Sequence, residues 1–183
     1  HTRSLCDWSS DVCSSDLPTA TISGSQTICN GQSASLNIDL IGSPPWNLTY
    51  SNGSTNTTIT GVASSPYTLT VSPTSNTNYT LVGLSNSQSC NAVTGGLSGT
   101  GTVNVTPISV GGIISGGATV CSGTNSTILT LSGHTGAVVR WESSLDSFAT
   151  AGTLITNTTT SLTVSNISAV TYYRAVVANG ICN

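Results

Sequence analysis

The chain has 183 residues, a net charge of −3, only 5% charged side chains and no methionine. Three Lys+Arg residues cannot neutralise a phosphate backbone, which excludes nucleic acid as a partner, and no apolar run approaches the roughly 18 residues of a membrane-spanning helix. Serine and threonine supply about a third of the residues and 37% are apolar, many of them β-branched, so the composition reads as all-β with a packed core rather than as disorder.

His1–Leu17 differs in character from the rest of the chain. It holds three of the six acidic residues and two of the six cysteines, and it lacks the threonine-rich alternation found from residue 18 onward. Within it, Asp7–Leu17 (DWSSDVCSSDL) resembles a translated short-read sequencing adapter over eleven consecutive residues. Residues 1–17 are therefore read as a non-native leader and set aside, with Cys6 and Cys13 expected to need no partner.

Beyond the leader the pattern predicts strands near 19–23, 34–41, 46–51, 55–60, 67–72, 78–84 and 100–106. Pro44-Pro45 cannot sit in a central strand and marks a loop. Asn52-Gly53 between two alternating runs predicts a tight hairpin with positive φ at both residues. Thr106-Pro107 closes a first module, 18–107. A second, 108–183, shows runs near 110–115, 127–132, 137–143, 153–156, 161–165 and 171–178.

The two modules repeat one another. Cys29 to Cys90 and Cys121 to Cys182 are both 61 positions apart, offset by 92, and Thr27-Ile28-Cys29-Asn30-Gly31 corresponds to Thr119-Val120-Cys121-Ser122-Gly123. Leu69-Thr70-Val71-Ser72 matches Leu162-Thr163-Val164-Ser165 at an offset of 93, and Tyr79 matches Tyr172. A unit of about 90 residues with some seven short strands predicts a sandwich of two antiparallel sheets. Trp46 and Trp141 share a strand and a parity, so both are expected in the core, with Tyr79 and Tyr172 packing at sheet corners. The second module stops before the counterpart of 100–106, so it is expected to lack its last strand and the sequence to be a gene fragment.

The paired cysteines are too far apart in sequence for a zinc cluster. The repeat favours Cys29–Cys90 and Cys121–Cys182 disulfides, hence an oxidising compartment. Four buried thiols, or another connectivity, are the alternatives.

These motifs resemble the repeat regions of very large bacterial surface adhesins and gliding-associated proteins of the type IX-exported kind. The resemblance rests on Ala118-Thr119-Val120-Cys121-Ser122-Gly123, Val138-Val139-Arg140-Trp141-Glu142-Ser143-Ser144 and Thr171-Tyr172-Tyr173-Arg174-Ala175-Val176-Val177. A sister version appears in Pro45-Trp46-Asn47-Leu48-Thr49-Tyr50 and Asn78-Tyr79-Thr80-Leu81. The resemblance covers 18–183 and implies an immunoglobulin-like fold, an extracellular or cell-surface location, and a role in adhesion or spacing. Tyr79 lies eleven residues before Cys90, unlike antibody domains, so each disulfide is expected to tie loops at one end of its sandwich.

Chemistry is sparse. The one histidine beyond the leader, His134, sits between glycines as a loop tip, leaving no base for a serine triad. Glu142 and Asp146 could form a weak Ca²⁺ site, but a solvated surface pair is the stronger reading. Arg140 and Arg174 are expected to pair with Glu142 or to stack on Tyr173. No metal, cofactor or catalytic residue is assigned. The reading is a non-catalytic extracellular repeat whose partners are neighbouring modules, surface glycans or other cells. The alternative is a carbohydrate-binding accessory module of a secreted enzyme, with Tyr50 and Tyr67 as the ligand-facing aromatics.

Overall fold

The computed structural model describes Cys13 and residues 16–182. It separates into two compact units, with the division between Val105 and Thr106.

Unit 1 is built from β1 (Thr19–Ser23), β2 (Ser25–Cys29), β3 (Ala34–Ile41), β4 (Trp46–Ser51), β5 (Asn56–Val62), β6 (Tyr67–Val71), β7 (Thr77–Ser85), β8 (Leu97–Gly99) and β9 (Gly101–Thr106). One sheet runs β6-β3-β1-β8 and the other β2-β9-β7-β4-β5. Alternation fixes which face each strand buries. In β3, Ala34, Leu36, Ile38 and Leu40 point inward and Ser35, Asp39 and Ile41 outward. They form one core with Leu48 of β4, Leu69 of β6, Tyr79 and Leu81 of β7 and Val103 of β9, which is what makes the two sheets a sandwich. Each fully buried aliphatic side chain contributes about 1.5–3 kcal/mol relative to exposure.

Two more strands are present than the pattern predicts, because the first and last strands of the sandwich each break in two and change sheet. The first break is at Gly24 (φ +119°) and the second at Gly99 (φ +82°). β1 pairs with β8 in parallel, Ile22 opposite Gly99. The Thr102 N–H then donates to the Gly24 carbonyl (2.9 Å), and β2 and β9 set off side by side in the other sheet. A Cβ on Gly99 would lie 2.0 Å from the Ile22 carbonyl oxygen, so only glycine fits at this crossing.

The Asn52-Gly53 hairpin is looser than predicted. Ser51 pairs with Asn56, leaving the four residues Asn52–Thr55 in the loop, and only Gly53 has positive φ (+88°). The Asn52 side chain takes over part of the turn, its Oδ1 accepting from the Ser54 and Thr55 N–H groups at 3.0 and 2.8 Å.

Unit 2 contains β10 (Ile113–Ser115), β11 (Ser126–Ser132), β12 (Ala137–Ser144), β13 (Thr153–Ile155), β14 (Ser161–Ser165) and β15 (Tyr172–Ala178). Its sheets run β10-β11-β14 and β13-β12-β15. Leu129, Leu131, Val138, Trp141, Leu162 and Val164 form its core. β10 is shorter than the predicted 110–115 because Gly111-Gly112 interrupt it; Val110 makes only an isolated bridge to Thr135. Both units are immunoglobulin-like β-sandwiches, in accord with the sequence reading.

The cysteine pairing differs from expectation. Cys90 is bonded to Cys13, 77 residues away, not to Cys29. Cys29 and Cys182 each take part in a disulfide, and Cys121 is an exposed free thiol, so Cys121–Cys182 does not form. Strand length explains both failures. Cys29 ends β2 on the side where β7 begins, because Val103 of the neighbouring β9 is opposite Thr77. Cys90 lies past the other end of β7, held there by the Ser85–Asn91 bridge. Nine extended residues separate these ends by roughly 27 Å, whereas a disulfide needs Cα atoms within about 7 Å. In unit 2 the Asn125 Nδ2 donates to the carbonyls of both Cys121 and Ile167 (2.8 Å each), fixing Cys121 near the start of β15. Cys182 bridges to Asn179 beyond the end of β15.

Cys13 is thus engaged, contrary to the expectation that the leader needs no partner. Asp16 also touches unit 1: Asn86 Nδ2 donates to its carbonyl at 3.0 Å. The rest of the segment before Asp16, including Cys6, lies outside the described residues.

Candidate functional site

Three of the four expected core aromatics are where the sequence places them. Trp46 and Tyr79 are buried in unit 1 and Trp141 in unit 2. Trp141 Nε1 donates to the Thr159 carbonyl at 2.9 Å, which satisfies the indole. Tyr172 is the exception: it is 44% exposed, and its neighbour Tyr173 packs against the core with Ala175 and Val177. The reason is parity. Arg174 stands opposite Glu142 on β12 and reaches its carboxylate on the outer face, so odd-numbered residues of β15 turn inward. The structural counterpart of Tyr79 is Tyr173, and the repeat offset slips by one residue here.

Tyr50 and Tyr67, expected to face a ligand, are half-buried and pack against the core of unit 1, on different sheets. Tyr50 lies tilted against Tyr79, ring centroids 6.1 Å apart at 52°. Burial first, then the neighbouring Tyr50, pushes the Tyr79 phenol above its ordinary value of 10.0. The two rings edge a groove of about 590 Å³ whose rim carries Asn52, Thr57, Asn76 and Thr77 but not Tyr67. Its amide oxygens are occupied: Asn52 Oδ1 holds its own turn, and Asn76 Oδ1 accepts from the Val105 N–H at 2.7 Å. Tyr50 and Tyr67 do not form one flat aromatic platform.

A second groove, of about 560 Å³, lies in unit 2. Its lining mixes Leu129, Val164, Val120, Ile167, Val170 and Tyr173 with threonine and serine hydroxyls, and no charged residue among those described lines it.

The polar chemistry of unit 2 is structural. Glu142 is buried at 4% exposure, with Arg140 Nε on one carboxylate oxygen and Arg174 on the other, 2.7 Å each. Those hydrogen bonds, Arg140 first, hold its carboxyl below the ordinary value of 4.5. Arg174 stacks on Phe148, 4.3 Å from guanidinium to ring centroid, not on Tyr173. The expected solvated acid pair fails at Glu142, which is buried, while Asp146 is exposed. Its carboxylate accepts from Ser144 Oγ and from the hydroxyl and N–H of Thr150, closing the turn after β12, and those bonds lower its pKa from 3.8. Among the described residues no group of three His, Cys, Asp or Glu side chains could hold a metal ion. His134 lies in the turn between β11 and β12, its buried Nδ1 without a hydrogen-bond partner among the described residues.

The fold and these surfaces define the class: tandem immunoglobulin-like β-sandwich modules. A family model described as "Domain of unknown function (DUF8696)" matches residues 110–183, nearly all of unit 2. Among solved structures, the chain is similar to the crystal structure of chicken CNTN1 FN1-FN3 domains, at 13% identity and a TM-score of 0.31. That match covers 90% of this chain and 60% of the other, so the chain spans about three fifths of its length. No curated protein matches.

Proposed function

We propose that the chain is a non-catalytic extracellular repeat of a large bacterial surface protein, acting as spacer or adhesive module. The observation that supports this reading is the repeated sandwich itself, with its few ionisable groups engaged in holding strands and turns together. Glu142, Arg140 and Arg174 lace β12 to β15, and Asp146 closes a turn. The disulfide bonding of Cys13–Cys90, Cys29 and Cys182 fits an oxidising compartment. Antibodies raised against the two-unit chain should label intact, unpermeabilised cells, and brief protease treatment of those cells should remove the label. Labelling only after permeabilisation would overturn the assignment.

One observation favours the accessory-module reading: the groove beside Tyr50 is rimmed by hydroxyl and amide groups. A glycan array probed with the full chain decides between them. Saturable binding to one sugar class that Tyr50→Ala abolishes would favour carbohydrate recognition; an array without signal favours the structural role.

A further inference from the structure

We propose that the β4–β5 loop is a self-modifying site, in which the fold promotes conversion of Asn52 to aspartate and isoaspartate. The chain holds three Asn-Gly pairs: Asn30-Gly31, Asn52-Gly53 and Asn179-Gly180. In each, the glycine puts no side chain in the way of its own nitrogen, which can then attack the asparagine Cγ. What separates the three is how the structure holds the side-chain amide.

Asn52 Oδ1 accepts three hydrogen bonds, from the Ser54 N–H at 3.0 Å, the Thr55 N–H at 2.8 Å and the Thr55 hydroxyl at 3.2 Å. These donors polarise the carbonyl and are already in place for the negative charge that Oδ1 gains when Cγ becomes tetrahedral, as in an oxyanion hole. All hydrogen bonds of this side chain end on Oδ1, so among the described residues nothing holds Nδ2 back as it leaves. Gly53 has φ +88° and open space where a Cβ would stand, and its N–H donates to Ser51 Oγ at 3.2 Å. Residues 52–55 are exposed, so hydroxide and water reach them. The other two pairs lack this arrangement. Asn179 Nδ2 is tied to the Pro107 carbonyl at 2.9 Å. The Asn30 side chain makes no hydrogen bond among the described residues, so its carbonyl is not polarised.

Solvent hydroxide takes the Gly53 N–H proton, the bond from Gly53 N to Cγ forms, and the Cγ–Nδ2 bond breaks. The departing nitrogen takes a proton from water and leaves as ammonia, and a succinimide ring remains. Water opens the ring at either carbonyl, giving aspartate or isoaspartate. One water is consumed and one ammonia released, with no change of oxidation state. The product places a carboxylate on the rim of the groove beside Tyr50 and Thr57. Isoaspartate also lengthens the loop by one backbone carbon. The inference holds whatever the groove binds and wherever the protein resides.

The test is peptide mass mapping of the full chain aged at mildly alkaline pH, native and in urea. In the native chain Asn52 should convert well ahead of Asn30 and Asn179, and faster as pH rises. In urea the three sites should converge on similar rates. Thr55→Val, which removes one donor from an exposed position, should slow Asn52 about tenfold in the native chain and leave it unchanged in urea. Conversion of Asn52 no faster in the native chain than in urea would overturn the proposal, because an ordered turn would then protect the amide. So would conversion of Asn30 or Asn179 first, or a native rate indifferent to Thr55→Val.

Discussion

Glu142 carries two arginines on one carboxylate, and its charge is what keeps Arg140 and Arg174 ordered on the outer face of β12 and β15. Its folded-state pKa is lower than its unfolded one, so unfolded chains take up the proton first as pH falls. The stability it provides is present above about pH 4.5 and is lost as pH drops through the folded value. Thermal melts of unit 2, followed by Trp141 fluorescence, should lose midpoint temperature steadily from about pH 5 downward. Glu142→Gln should flatten that slope while starting lower at pH 7. Residue identities read well from sequence where a single strand parity decides burial, as for Trp46 and Trp141. They read poorly at Tyr172-Tyr173, where two adjacent rings fit either parity and the choice falls to a cross-strand ion pair that no periodicity encodes.

At the scale of elements, the crossing at Gly24 and Gly99 decides how the sandwich closes. Gly99→Ala puts a methyl group into the Ile22 carbonyl and forces a left-handed backbone on an L residue. The expected loss is about 1–3 kcal/mol, read as a lower urea midpoint with an unchanged m-value. Most strand spans were legible, since alternation and turn residues bracket them: 34–41, 46–51 and 161–165 coincide with the observed strands. β2 and β8 were not, because a strand that changes sheet midway still reads as one run, or as none when glycine-rich. The disulfides were least legible. Equal spacing in two repeats suggested equal pairing, but the length of β7 keeps Cys29 and Cys90 apart. Closing a 77-residue separation corresponds to about 4 kcal/mol in the chain-entropy picture. Cys13→Ser should therefore lower the urea-derived stability of unit 1 by up to that amount, and a non-reducing digest of the unaltered chain should yield the Cys13–Cys90 cross-linked peptide.

For the whole molecule, the free thiol gives a direct check on the connectivity. Alkylation of the native, unreduced protein should mark Cys121 and spare Cys29, Cys90 and Cys182, as peptide mass mapping would show. Sparing of Cys121 with marking of Cys13 instead would reinstate pairing within repeats. Duplicated architecture was the most legible property of all, since the period needs no knowledge of side-chain contacts. The side-by-side run of β1 with β8 and of β2 with β9 has a mechanical corollary. Tension applied between Pro18 and Thr106 pulls these neighbours along their length in opposite directions, so their hydrogen bonds must rupture together instead of peeling one by one. Unit 1 then resists shear, and a single-molecule tether attached at those two positions should register an abrupt, high-force break that Gly99→Ala makes gentler.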